Sequence, residues 1–130
     1  MENKGYVQIY TGNGKGKTTA ALGLAIRAIG AGLKVYVGQF IKGMPYSELM
    51  ALKKIASLTI EQFGQGCFIR NAPTDKDIEL ARDGLKKMRA LITSSDTPYD
   101  LIIMDEINVA LYFKLFKVVE MVDLIKNRHR

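Results

Sequence analysis

The sequence predicts an α/β fold: a parallel sheet with flanking helices, in a three-layer α/β/α arrangement. Apolar runs of strand length alternate along the chain with longer runs whose apolar residues recur every three or four positions. A glycine-dense loop, Thr11-Gly12-Asn13-Gly14-Lys15-Gly16-Lys17-Thr18-Thr19, joins the first strand-like run to the first helical one. A late apolar run, Tyr99-Asp100-Leu101-Ile102-Ile103-Met104, reads as a strand buried on both faces and ends at once in Asp105-Glu106. Strand–helix alternation of this kind implies right-handed crossovers.

The first strand is Tyr6-Val7-Gln8-Ile9-Tyr10. The first helix runs from Lys17 to about Ile29, with Ala21, Leu22, Ala25, Ile26, Ala28 and Ile29 dense enough to pack on a sheet, and Gly30 and Gly32 stop it. Lys34 to Ile41 is the second strand. Pro45 and Ser47 introduce a short helix with Leu49, Leu52 and Ile55 on one side, and Leu58 to Phe63 is the third strand. Gly64 to Pro73 is the longest irregular stretch, and its Phe68 and Ile69 either tuck back into the core or meet a ligand. Thr74 and Asp77 have the spacing of a capping box. The helix after them repeats apolar residues at Ile78, Ala81, Leu85, Met88 and Ile92. Ser94 to Pro98 breaks the chain before the late apolar run. A last helix, about Lys117 to Asn127, shows Val118, Met121, Val122 and Ile125 on one face.

At 130 residues the chain makes a single domain able to bury about two thirds of its unfolded surface. Its 48% hydrophobic and 25% charged residues are ordinary for a soluble globular protein. The single cysteine, Cys67, excludes an internal disulfide and a multi-cysteine zinc site. The lone His129 sits in a basic tail and reads as solvated. No run is long enough to span a membrane, and the polar start Met1-Glu2-Asn3-Lys4 is no signal peptide, so a cytoplasmic address is expected. The net charge of +6 suits either nucleic acid or a polyanionic small molecule. Outside Lys126 to Arg130 the basic residues form no compact cluster, which favours a nucleotide and no nucleic-acid or membrane partner.

The glycine loop has the makings of a phosphate cradle. Its successive backbone N–H groups and the helix N-terminus attract an anion, Lys17 adds a full charge, and the Thr18 hydroxyl can ligate nucleotide-borne Mg²⁺. It departs from G-x-x-x-x-G-K-[ST] at Thr11, where the first glycine should stand, with Gly12 and Gly14 able to supply the positive-φ geometry nearby. The competing reading is a basic turn that binds nothing. Carboxyl ends of parallel strands face a common crevice, so the loop and Asp105-Glu106 should converge there. An aspartate closing an apolar strand can orient water on Mg²⁺; the alternative is a strand cap followed by an acidic helix N-terminus.

Three blocks make the pattern specific. Gly12-Asn13-Gly14-Lys15-Gly16-Lys17-Thr18-Thr19-Ala20, Gln39-Phe40-Ile41-Lys42-Gly43 and Leu101-Ile102-Ile103-Met104-Asp105-Glu106-Ile107 resemble the P-loop-type ATP:cob(I)alamin adenosyltransferases, over nearly the whole chain from Tyr6 to about Ile125. The first block shares the family's missing first glycine. The resemblance implies a P-loop NTPase, RecA-like architecture and a reaction at the ribose of ATP: a reduced Co(I) corrinoid attacks the 5′-carbon, and triphosphate leaves. It makes Gly12, Asn13, Gly14, Lys15, Gly16, Lys17, Thr18 and Thr19 the phosphate cradle, with Gln39 and Lys42 beside it. Thr18 and Asp105 would hold Mg²⁺ or Mn²⁺, and Glu106 would tune the metal shell. Lys17, Asp105 and Glu106 are the expected catalytic residues. Phe68 stands where the family places apolar residues under the corrin, although the usual aromatic pattern with Trp is absent here.

The family's N-terminal arm and its further C-terminal strand also have no counterpart in these 130 residues. The expectation is a single P-loop domain over residues 1–130 truncated at its C-terminal end, lacking the last strand or strands, with an unpaired sheet edge that favours a homodimer. The substrates would be ATP and a reduced corrinoid, the electron donor being left open. Two other functions fit the same residues: a P-loop phosphotransferase or ATPase releasing ADP, and an ATP-dependent nucleic-acid-binding module with strongly salt-sensitive binding.

Overall fold

The computed structural model describes residues 5–44, 46–66, 69 and 71–129. The elements follow in the order α1 (Lys17–Gly30), β1 (Val35–Lys42), α2 (Ser47–Leu52), β2 (Leu58–Gly66), α3 (Asp75–Thr93), β3 (Leu101–Asp105), α4 (Ile107–Tyr112) and α5 (Val118–Lys126). The strands form a parallel sheet in the order β2-β1-β3, with Val35 in register with both Leu58 and Leu101. The predicted α/β class and its three layers are therefore present.

Alternation along the central strand builds both halves of the core. Val35 and Val37 join Leu58, Ile60, Ala25, Ala28, Leu49 and Leu52 on the side of α1 and α2. Tyr36 and Phe40 join Phe63, Leu85, Met88, Ala110, Phe116 and Leu124 on the side of α3, α4 and α5. The sheet contact of α3 is close: a methyl group at Gly84 would overlap the Phe63 ring. Gly84→Ala should therefore cost about 1–3 kcal/mol by overpacking, read as a lower urea midpoint at unchanged m-value.

Local chemistry sets the helix ends. At the end of α1, Gly32 adopts φ 84°, Gly32 N–H donates to Ile29 O (2.9 Å) and Leu33 N–H to Ala28 O (3.0 Å). This is the Schellman closure. The capping box of α3 forms as expected: Asp77 N–H donates to Thr74 Oγ1 (3.2 Å), and Thr74 N–H donates to Asp77 Oδ2 (2.8 Å). Burial pushes the Asp77 carboxyl up, but hydrogen bonds from the Thr74 backbone, the Gln65 amide and the Thr74 hydroxyl outweigh it and hold the group below its ordinary value. The stabilisation is present above the unfolded carboxyl's pKa and fades as pH falls through the lower folded one. Asp77→Asn should accordingly flatten the acid limb of a Tm–pH curve, and an acid limb identical to wild type would contradict this account.

Several expectations are corrected. Tyr6 to Tyr10 is not a strand, and Tyr6 and Ile9 are 80% and 70% exposed. Strand propensity alone supplies no ladder partner, and the segment pairs with none of the described strands. For the same reason β3 is not buried on both faces. It pairs only with β1 among the described residues, and Leu101 to Met104 are half-buried.

The strand β2 runs on to Gly66, which shortens the expected loop. In α1 Ile26 is exposed, and a short helix, α4, follows Asp105-Glu106, as the alternative reading of an acidic helix N-terminus had it. On α5 the buried stripe is Met121 and Leu124, while Val118 and Val122 are exposed. That helix carries enough apolar residues for more than one stripe. Ion pairs to α3, Arg82–Glu120 (2.6 Å) and Arg89–Asp123 (3.0 Å), accompany the orientation it adopts.

Candidate functional site

The glycine loop and the ends of β1 and β3 meet at Asp105. Register brings Gln39 opposite Asp105, both on the α1 face of the sheet. Asp105, 8% exposed, accepts from Thr18 Oγ1 (2.9 Å) on Oδ1 and from Gln39 Nε2 (3.2 Å) and Lys42 Nζ (2.9 Å) on Oδ2. The expected meeting of the loop with Asp105 is present through Thr18, and Gln39 and Lys42 of β1 join it there, while Glu106, expected beside them, does not. Asp105 is more than a strand cap, because its carboxylate is buried and ties three segments together.

The loop itself is open. Gly12 (φ 128°) and Gly16 (φ 105°) take the positive φ that a Cβ would oppose. Gly16 precedes α1 without a side-chain cap, and the first bond back into the loop is Ala20 N–H to Gly16 O (2.8 Å). The N–H groups at the start of α1 are left for an anion. Asn13, Gly14, Lys15 and Thr19 are exposed around it. Lys17 does not point to Asp105: its ammonium donates to Gly12 O (2.7 Å) and Gly14 O (2.6 Å), bracing the loop.

Glu106 is half-buried in the left-handed region (φ 63°) and caps α4 by position, without a side-chain bond. It is not part of the Asp105 cluster of hydrogen bonds. Phe68 lies outside the described residues.

A divalent cation fits this site best as a nucleotide's companion. The described residues hold no group of three or more His, Cys, Asp or Glu that could cage one. A hydroxyl and one carboxylate, completed by phosphate oxygens and water, is the donor set of a nucleotide-borne Mg²⁺.

One participant, Gln62, was missed. Its Nε2 donates to Gln39 Oε1 (3.2 Å) and to Met44 O (2.7 Å), which fixes the Gln39 amide with its own Nε2 toward Asp105. Period two carried the signal: Gln62 follows Leu58 and Ile60 on one face of β2, as Gln39 follows Val35 and Val37 in β1. A glutamine in the third place of an apolar face marks a buried polar contact, and Gln39 and Gln62 are register partners.

Beyond the end of β2 an open hollow of about 400 Å³ is lined by Gln65, Ile69, Asn71, Thr74 and Asp77 among others. No helix among the described residues is long and apolar enough to cross a membrane.

The sequence model of the family described as "ATP:corrinoid adenosyltransferase BtuR/CobO/CobP" matches residues 3–130. The chain is 29% identical to the corrinoid adenosyltransferase of Escherichia coli K12 over 128 residues, 98% of this chain and 64% of that protein. It is 32% identical over 122 residues to the corrinoid adenosyltransferase of Pseudomonas aeruginosa, covering 90% of this chain and 59% of the relative. The corrinoid adenosyltransferase of a Sinorhizobium species is 32% identical over 128 residues, 96% of this chain and 59% of that protein. The chain spans about three fifths of the length of these curated relatives.

Proposed function

The chain belongs to the ATP:corrinoid adenosyltransferase family, and on that premise we propose that it forms the nucleotide-binding part of an enzyme that moves the 5′-deoxyadenosyl group of ATP to a reduced corrinoid. The Co(I) of the corrinoid substrate attacks the ribose 5′-carbon, the C–O bond to the triphosphate breaks, and the bond's electron pair leaves with inorganic triphosphate. The nucleophile is already reactive, so no general base is needed. What the protein must provide is positive charge and N–H donors fixed around the departing chain.

The observation that carries the reading is the meeting of Thr18 and Lys42 on the buried carboxylate of Asp105, beside the open N-terminus of α1. In the proposed complex Gly12 to Thr19 cradle the phosphates, Lys17 and Lys15 balance their charge, and Gln39 holds Asp105 in place. Thr18 and Asp105 would hold Mg²⁺ or Mn²⁺, which when bound neutralises charge building on the phosphate oxygens. Glu106, next to Asp105 in sequence, adjusts the outer shell of that ion.

The hollow beside β2 is our choice for the corrinoid. Ile69 offers it apolar surface, and the Gln65 and Asn71 amides suit the amide groups around a corrin ring; Phe68 is the further apolar contact that the family resemblance suggests. Residues 1–130 act as one nucleotide-binding domain in this reading. The protein works in the cytoplasm as a homodimer on small-molecule substrates.

Incubation with ATP and chemically reduced cobalamin, followed optically for the cobalt–carbon product and by triphosphate analysis, tests it. Adenosylcobalamin with stoichiometric triphosphate is expected. ADP and phosphate without a cobalt–carbon product would make the chain a phosphotransferase or ATPase instead.

A further inference from the structure

The strand β1 does not end regularly. Strict alternation would put Ile41 on the face of Gln39 and Lys42 on the face of Phe40. Instead Phe40 and Ile41 both lie in the core beneath α3 to α5, and Lys42 comes round to the Asp105 oxygen that Gln39 also touches.

The reversal occurs at Ile41, whose φ of 67° places a β-branched residue in the left-handed region. Such residues are rare there and strained. The register with β2 shifts at the same point. Phe40 faces Phe63 and Lys42 faces Gly66, so Gly64 and Gln65 stand against Ile41 alone. The strands come so close that a Cβ at Gly64 would overlap the Ile41 carbonyl, and one at Gly43 the Gly64 carbonyl. A strained residue, a register shift and two glycines serve one outcome, the ammonium of Lys42 at Asp105.

We propose that this bulge turns Lys42 onto the nucleotide face so that its ammonium acts as a resident counter-ion. It neutralises Asp105 in the nucleotide-free protein, yields the carboxylate to the nucleotide's divalent cation, and moves to the phosphate chain. The proposal rests on reading the site as an ATP site. Lys42 and Asp105 are 14% and 8% exposed, and a carboxylate left unpaired at that depth is costly. Oδ2 already accepts from Gln39, so an arriving cation competes with Lys42 for that oxygen. A lysine's flexible four-carbon stem can follow the charge. The Tyr46 ring, 5.6 Å from Nζ, offers a cation-attracting surface on the way out.

The test measures Mn²⁺ binding without nucleotide, by electron paramagnetic resonance of the free ion, and ATP binding in excess chelator, by calorimetry. Lys42→Met should bind Mn²⁺ about tenfold more tightly and metal-free ATP about tenfold more weakly than wild type. These opposite signs are not what a purely structural ion pair produces, since loss of structure weakens both. Lys42→Gln, which keeps a hydrogen-bond donor for Asp105, should show the same signs with smaller changes. Gly64→Ala, which opens the bulge, should move both affinities in the Lys42→Met direction.

Unchanged affinities in both Lys42 variants, or a fall in both, overturn the counter-ion. Wild-type affinities in folded Gly64→Ala overturn the role of the bulge. Wild-type protein that binds ATP neither with nor without metal ends the functional reading and this proposal together. Wild-type ATP binding with an unresponsive Lys42→Met ends the proposal alone.

Discussion

Lys17→Ala is expected to lose about 2–4 kcal/mol of transition-state stabilisation, roughly thirty- to a thousandfold in kcat/KM for ATP, the scale of one preorganised donor at developing charge. The Lys17 ammonium is held over the loop by the carbonyls of Gly12 and Gly14, at 2.7 and 2.6 Å, so it already stands at the cradle when a phosphate enters. In the proposed reaction the C–O bond breaks and negative charge grows on the bridging oxygen of the leaving triphosphate. Lys17 should then matter more in the transition state than in the ground state, and kcat should fall further than the affinity for ATP. The variant also loses the brace across the loop, which the affinity term reports. Wild-type kcat/KM for ATP in a folded Lys17→Ala protein would remove Lys17 from the catalytic set.

Asp105→Asn has the second large effect, and it acts on two quantities. The asparagine oxygen can still accept from Thr18, but its amide group is turned toward Gln39 Nε2 and Lys42 Nζ, both donors. Donor facing donor in a buried site should lower stability by about 1–3 kcal/mol, seen as a lower Tm. Turnover should in addition become dependent on raised Mg²⁺ or Mn²⁺, because the ion loses its charged neighbour. Comparing the metal titration with the melting curve separates the two roles. A lower Tm with an unchanged metal titration would make Asp105 a structural hub and nothing more.

Features written in neighbouring residues were legible without the structure. The capping box at Thr74 and Asp77, the stop of α1 at Gly32, the positive φ of Gly12 (with Gly16, not Gly14, as its companion) and the apolar spacing of α3 each involve groups a few residues apart. Local sterics and hydrogen bonding decide them. Thr18 and Asp105 could also be paired in advance, because parallel strands deliver their carboxyl ends to one edge.

Pairing between distant segments was a different matter. Tyr6 to Tyr10 has the residues of a strand and is not one, because a strand requires a partner as well as a propensity. On α5, apolar residues sufficient for more than one stripe left the buried one to be selected in the tertiary structure, where Met121 and Leu124 face inward.

The amino-acid sequence by itself therefore determined the α/β class, the glycine loop that opens α1 and the meeting of Thr18 with Asp105. Only the tertiary structure decided that Gln62 fixes Gln39 and that Ile41 reverses the alternation so that Lys42 reaches Asp105. Register and bulges are properties of two strands held together, and neither strand's sequence contains them alone.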